Sequence, residues 1–138
     1  MKLFVGAKGL IAREDGKVLI VRESSEYDEG TEEGNWDVVG GRIESGELLL
    51  EGLAREVSEE SGLKIIIGDV LGVTENFPVI HNEKCQIIRV YYACSVSNSD
   101  VKLSADHDAF DWIEPSAHAS YNVMDDLHKI FETYIKTL

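Results

Sequence analysis

Residues 41–63 read GRIESGELLLEGLAREVSEESGL. Leu49, Leu53 and Val57 recur every fourth residue, with Leu50 and Ala54 beside them, which gives an amphipathic helix one apolar stripe. The spacing predicts a helix from Glu47 to Ser61, and Gly62 suits its termination. Away from the stripe, Glu56, Glu59 and Glu60 share a face at spacings i, i+3 and i+4. Like charges so placed repel by roughly 0.2–0.5 kcal/mol per pair on an exposed helix. A chain that accepts this cost brings in a cation, and clustered carboxylate oxygens suit Mg²⁺ or Mn²⁺. Mg²⁺ typically sits between one or two carboxylates and substrate phosphates, so the residues point to metal-dependent chemistry on a phosphorylated compound. The plainer alternative is a solvated, Glu-rich helix.

The flanking sequence supplies strands. Residues 3–13 and 17–24 are apolar and β-rich, and Glu14-Asp15-Gly16 between them predicts a hairpin turn. Residues 25–34 read as an acidic loop, and Trp36–Val39 as a short strand entering Gly40-Gly41. Beyond the helix, a β-rich segment runs from Leu63 to about Phe77, and residues 78–84 read as a loop. Residues 85–96 read as a central strand and 109–113 as a further short one. A second helix is predicted within Ser116–Thr137, clearest from Val123 onward, where Leu127, Ile130, Phe131 and Tyr134 fall at helical spacing. No linker, repeat or low-complexity tract interrupts this order. The expected architecture is α/β, one domain over residues 1–138, with a mixed sheet between helices in an α/β/α sandwich.

Composition excludes several classes. The 138 residues carry 26 Asp and Glu against 13 Lys and Arg, a formal charge of −13, which argues against a nucleic-acid polymer as partner. No apolar run approaches the roughly 18 residues of a membrane span, and the N-terminus reads directly into a strand without a secretory signal. Cys85 and Cys94 lie in strand-like sequence without metal spacing, as buried thiols of a reducing, cytoplasmic compartment would, with a disulfide as the alternative.

The 41–63 stretch resembles the signature of the Nudix hydrolase family, which includes the MutT-like enzymes. That pattern is Gly, five residues, Glu, seven residues, Arg-Glu, an aliphatic residue, any residue, Glu-Glu, any residue, Gly, aliphatic. It is met at Gly41, Glu47, Arg55, Glu56, Val57, Glu59, Glu60, Gly62 and Leu63. The resemblance implies the Nudix fold and Mg²⁺-dependent hydrolysis of a diphosphate linkage in a small nucleoside diphosphate derivative, with Mn²⁺ as a possible substitute metal. An ordinary or oxidised nucleoside triphosphate, cleaved to monophosphate and pyrophosphate, comes first among substrates. ADP-ribose is second, since members that hydrolyse it often carry a Pro about sixteen residues past the signature, and Pro78 lies fifteen past Leu63. A catalytically silent Nudix-fold binding module and an isopentenyl-diphosphate isomerase remain alternatives, and a homodimer is left open.

The resemblance also assigns positions. Glu56, Glu59 and Glu60 match the metal-ligand positions, and Gly40 matches a residue whose carbonyl binds metal in some members. Glu56 is the leading general base; Glu59 and Arg55 join it among the catalytic positions, with Arg55 holding loop carboxylates such as Glu47. Asp106-His107 before Trp112 matches a Glu-His that many members carry, making Asp106 a shortened metal or water contact and His107 a packing residue. Arg22, Val38 and Asn122 are candidates for substrate contact, although Asn122 also reads as a helix cap before Val123. Phe77, Tyr91 and Tyr92 are either stacking or core aromatics. The chain departs from the family's Pro-Gly-Gly by carrying Val39-Gly40-Gly41. Losing that Pro frees the unfolded chain, worth about 0.4–1 kcal/mol, and bears on loop rigidity rather than on the carboxylates.

Overall fold

The computed structural model describes residues 1–25 and 34–138. The acidic loop expected at 25–34 therefore lies, Ser25 and Gly34 apart, outside the described residues. Strand β1 (Lys2–Ala12) is the centre of the sheet. It runs parallel to β7 (Glu83–Ser95) in unbroken register from Lys2↔Cys85 to Ala12↔Ser95. It pairs antiparallel with β2 (Val18–Glu23) next to the turn and with β4 (Val39–Arg42) along its middle. Strands β3 (Trp36–Asp37) and β8 (His107–Ile113) flank β2, and β5 (Ile66–Asn76) closes the other side beside β7.

Alternation along the strands divides the core into two layers. Ile11, Leu19, Val21, Val39 and Tyr92 face helix α1 (Leu49–Ser61), whose Leu53 and Val57 pack on them. Their neighbours Leu10, Val18, Ile20, Val38 and Tyr91 face helix α2 (Asp125–Lys136), which supplies Leu127, Ile130, Phe131 and Tyr134. The expected helix–sheet–helix layering is observed. Tyr91 and Tyr92 are core residues, and Phe77 is half-exposed.

Four expectations are corrected. Helix α1 starts at Leu49, not Glu47, because Glu47 is drawn back into the preceding loop. Its N–H donates to the Glu44 carbonyl (3.0 Å) and its carboxylate accepts the Glu44 N–H (3.0 Å). Residues 78–84 are not a plain loop: β6 (Val79–Ile80) forms a hairpin with β7 through His81-Asn82. Both turn residues have positive φ (51° and 61°), the geometry of a two-residue hairpin turn that Asn and His tolerate. The second helical region is broken into a 3₁₀ turn, Pro115–Ser120, and α2, with extended Tyr121 between them. Asn122 does not cap α2; Met124 occupies that position, and the Asn122 carbonyl accepts the Trp36 N–H instead (2.9 Å).

The 3₁₀ turn is held to α2 by a buried imidazole. His118 stacks on Phe131 at 5.1 Å, its Nδ1 lies 2.9 Å from Nδ1 of His128, and its Nε2 lies 3.4 Å from Glu132. Burial, and then His128, depress the His118 pKa, while Glu132 opposes them. A depressed imidazole contributes stability that is complete above its ordinary pKa and lost as pH falls through the folded value. Thermal melts at about pH 7 and about pH 5 should therefore show a larger drop for the wild type than for His118→Phe. Parallel drops would show that His118 does not drive acid destabilisation.

Candidate active site

The sheet face beside the N-terminal half of β1 opens into a cavity of about 350 Å³. Glu56, Glu59 and Glu60 of α1, Gly40 and Gly41 of β4, and Asp106 and His107 at the start of β8 all line it. The structure thus brings together every residue that the sequence marked as a metal candidate.

Arg55 organises the carboxylates. Its Nε and one terminal nitrogen donate to both oxygens of Glu47 (2.7 and 3.1 Å), a bidentate pair. The other terminal nitrogen donates to Glu56 (3.0 Å) and Glu59 (3.2 Å), and the guanidinium reaches back to the Arg42 carbonyl (3.3 Å). The hydrogen bond to Glu47 is the chief cause of a raised Arg55 pKa, and Arg55 in turn lowers that of Glu47. Arg55 therefore anchors the loop before α1 to the helix and presents Glu56 and Glu59 to the cavity.

Glu56 is the half-buried member, and desolvation raises its pKa against the opposing pull of Arg55, with the charges of Glu59 and Glu60 adding to the rise. Glycine makes its room. A Cβ on Gly41 would collide with the Glu56 carboxylate, and one on Gly40, where φ is 144°, would meet the Ala7 and Lys8 backbone. Glu60 sits deeper. Its Oε2 accepts from Ser104 Oγ (2.9 Å) and lies 2.9 Å from the buried His107 Nδ1. Burial pushes the Glu60 pKa up, but interactions with His107, Ser104 and Asp106 outweigh it and hold the carboxyl below its usual range. His107 therefore touches a candidate ligand as well as packing the loop.

The substrate-contact candidates fare differently. Arg22 pairs with Asp108 (2.7 Å), lies over the Trp36 ring and does not line the cavity. Val38 is fully buried in the α2-side core and does not line the cavity; its carbonyl accepts Lys8 Nζ at 3.2 Å. Asn122 is not part of the cavity wall. Val39 fills an α1-side core position opposite Gly9. Sequence reasoning missed Phe4, Lys8, Arg42 and Arg89, which line the cavity from β1, β4 and β7. Their signal was the polar interruption of apolar strands, Lys8 in FVGAKGL and Arg89 in QIIRVYY.

Among the described residues no three His, Cys, Asp or Glu side chains stand as a ready-made metal centre; Glu56 and Glu59 contact Arg55, and Glu60 lies beside His107. The donor types nevertheless fit a hard divalent cation: Glu23 and Asp37 join Glu56, Glu59, Glu60 and Asp106 in lining the cavity, six carboxylates among the described residues. Among the described residues no helix is long and apolar enough to cross a membrane.

Comparison with known proteins agrees with the fold and the signature. A MutT-like protein of Streptomyces ambofaciens is 29% identical over 111 residues, 80% of this chain and 64% of that protein. The nucleoside triphosphatase NudI of Escherichia coli O139:H28 is 25% identical over 120 residues, 82% of this chain and 84% of NudI. The crystal structure of a MutT protein from Methanosarcina mazei Go1 superimposes with a TM-score of 0.86 at 27% identity, covering 99% of this chain and 95% of that one. The family model described as NUDIX domain matches residues 2–134, so the helix, its glycine shelf and the sheet beneath them are parts of one familial unit: the chain belongs to the Nudix hydrolase family.

Proposed function

We propose that this Nudix hydrolase cleaves a diphosphate linkage in a nucleoside triphosphate, giving a nucleoside monophosphate and pyrophosphate, with Mg²⁺ as cofactor and Mn²⁺ as its substitute. The observation that carries this is the cavity's polarity. Glu56, Glu59, Glu60 and Asp106 line the same space as Lys8, Arg42 and Arg89, so carboxylates for a cation and cations for phosphates meet there. NudI, similar over 84% of its length, is a nucleoside triphosphatase, which supports the choice of substrate.

Glu56, Glu59 and Glu60 would hold the cation, with Asp106 and the Gly40 carbonyl as further donors. When bound, the cation supplies charge stabilisation for a phosphoryl centre and acidifies water. Glu56 accepts the proton of the attacking water, and its contact with Arg55 keeps the carboxylate at the cavity wall. Arg55 keeps Glu56 and Glu59 aimed inward, and Ser104 and His107 orient Glu60. The cysteines do not serve as nucleophiles in this scheme. Both are buried and neither lines the cavity, and desolvation pushes the Cys94 thiol up to about 12. That also speaks against isomerase chemistry built on a reactive Cys.

ADP-ribose is the second reading, favoured by one observation: Pro78 lines the cavity. A panel of nucleoside triphosphates and ADP-ribose, assayed with Mg²⁺ and again after chelation by EDTA, decides between them. Metal-dependent release of pyrophosphate from a triphosphate is expected. Turnover of ADP-ribose alone would select the second reading, and no turnover of any nucleotide would favour a binding module. In ¹⁸O-labelled water with enzyme in excess, label should enter one phosphate product in the first turnover. Unlabelled products would point to an enzyme-derived oxygen and overturn direct attack by water.

A further inference from the structure

Three cationic side chains surround one glycine on the α2-side face of the sheet. The register places Arg42, Gly6 and Arg89 in one row across β4, β1 and β7, with Lys8 one row inward and Phe4 one row outward. A Cβ on Gly6 would stand 3.7 Å from Arg89 Cγ and 3.3 Å from the Gly41 carbonyl oxygen, so only bare glycine backbone lies beside the Arg89 stem, where a side chain would crowd both. Arg42 lies over the Phe4 ring at 3.5 Å, and Lys8 is tied to Asp37 (2.9 Å). Arg89 differs from Lys8. Its partner is a neutral amide, the Asn76 Oδ1, and it makes no ion pair among the described residues. Its positive charge is thus fixed in direction without being neutralised. The Asn76 amide accepts from Arg89 through its oxygen and adds its own NH₂ donors beside the guanidinium.

A half-buried guanidinium held by a neutral group in a chain of formal charge −13 is complementary to an anion with several acceptor oxygens. The position of the recess says which. Gly41, beside Glu56, borders it on one side. On the other lie Ile87, Pro78 and Ile80, an apolar wall suited to a flat ring. A nucleotide laid along the cavity, its ring on that wall and its scissile linkage at the carboxylates, puts the phosphate nearest the nucleoside over Gly6.

We infer that Arg89, oriented by Asn76, binds the phosphate that remains with the nucleoside, and so selects 5′-nucleotides whatever their base. This rests on the reading of the cavity as a diphosphate-hydrolysing site. Arg89 is here a binding residue and Asn76 a positioning residue.

Titration calorimetry of AMP, GMP, CMP and UMP, and separately of inorganic pyrophosphate, needs no turnover and tests the assignment on the intact protein with Mg²⁺ present. Arg89→Gln should weaken all monophosphates alike, by about 10- to 100-fold, as loss of a charged hydrogen-bonding partner implies, and weaken pyrophosphate by less than about 3-fold. Arg89→Lys, which keeps the charge without the fork, should fall between, as should Asn76→Ala. In turnover, KM should rise with kcat little changed. Loss confined to one base would show that Arg89 reads the ring, and a larger loss for pyrophosphate would put it on the leaving group; either result, like unchanged affinity, overturns the inference. Wild-type protein that hydrolyses no nucleotide yet shows the Arg89-dependent monophosphate binding would refute the proposed function and leave this assignment standing. Circular dichroism of each variant, with Arg89→Lys as the conservative control, separates lost binding from lost folding.

Discussion

Glu60→Gln is expected to keep the fold and lower hydrolysis by about 10²–10⁴-fold, in the range that removal of a catalytic carboxylate commonly costs. The amide is close in shape, and its carbonyl oxygen still accepts the Ser104 hydroxyl, so packing is preserved. What disappears is the negative charge that faces His107 and the cavity, and with it a cation ligand. Mn²⁺ affinity should fall in parallel with rate. Asp106→Asn is expected to cost less, with thermal stability nearly unchanged. The Asp106 segment is anchored by its main chain: the Asp106 carbonyl accepts the Ser24 N–H (2.9 Å), and the neighbouring Ala105 carbonyl accepts the Ser24 hydroxyl (2.6 Å). Far-UV circular dichroism, Mn²⁺ titration and turnover of both variants check this. Wild-type turnover by folded Glu60→Gln would sink its assignment as a ligand, and an equally complete loss in Asp106→Asn would reverse the ranking of the two.

The parts of this molecule legible in the sequence are those fixed by local periodicity or by a short contiguous pattern. The α1 stripe of Leu53 and Val57 and the Gly62 stop are such parts, and Gly62 takes the left-handed conformation (φ 73°) with its N–H on the Ser58 carbonyl. So is the carboxylate face, because residues three and four apart on a helix are neighbours whatever the fold. The misreadings arose where long-range partners override local preference. Glu47 looks helical, yet Arg55, eight residues on, and the Glu44 backbone draw it out of the helix. Asn122 looks like a cap, yet pairing with Trp36 commits its backbone elsewhere. Arg22 sits at a strand end near the signature, but Asp108, 86 residues away in sequence, takes its charge. The cations that do reach the cavity, Lys8, Arg42 and Arg89, come together only because β1 pairs with both β4 and β7. No spacing within one strand reveals a cross-strand row.

Gly41→Ala is expected to lower hydrolysis by about 10²-fold or more without removing any functional group, a loss comparable to displacing a catalytic carboxylate from its working geometry. Gly41 has no positive φ, so alanine is compatible with its backbone, and β4 can retain its pairing with Ala7. The conflict is local: the new Cβ would occupy the place of the Glu56 carboxylate. That carboxylate is the end of a flexible side chain, so it can swing away, and the fold should tolerate the change. Swinging away has consequences, however. Glu56 would lose the 3.0 Å contact with Arg55 or drag the guanidinium with it, and Arg55 also fixes Glu47 and Glu59. It would also leave the half-buried pocket whose desolvation raises its pKa, so the group would titrate nearer to an ordinary carboxyl. The acid limb of the pH–rate profile should therefore move to lower pH in Gly41→Ala, while an effect confined to lost stability would leave that limb where it is. Thermal denaturation, kcat and the pH–rate profile together test the argument. A folded Gly41→Ala enzyme with wild-type kcat and an unmoved acid limb would show that the Glu56 carboxylate does not need the space that Gly41 leaves open, and would remove the structural case for Glu56 as the base.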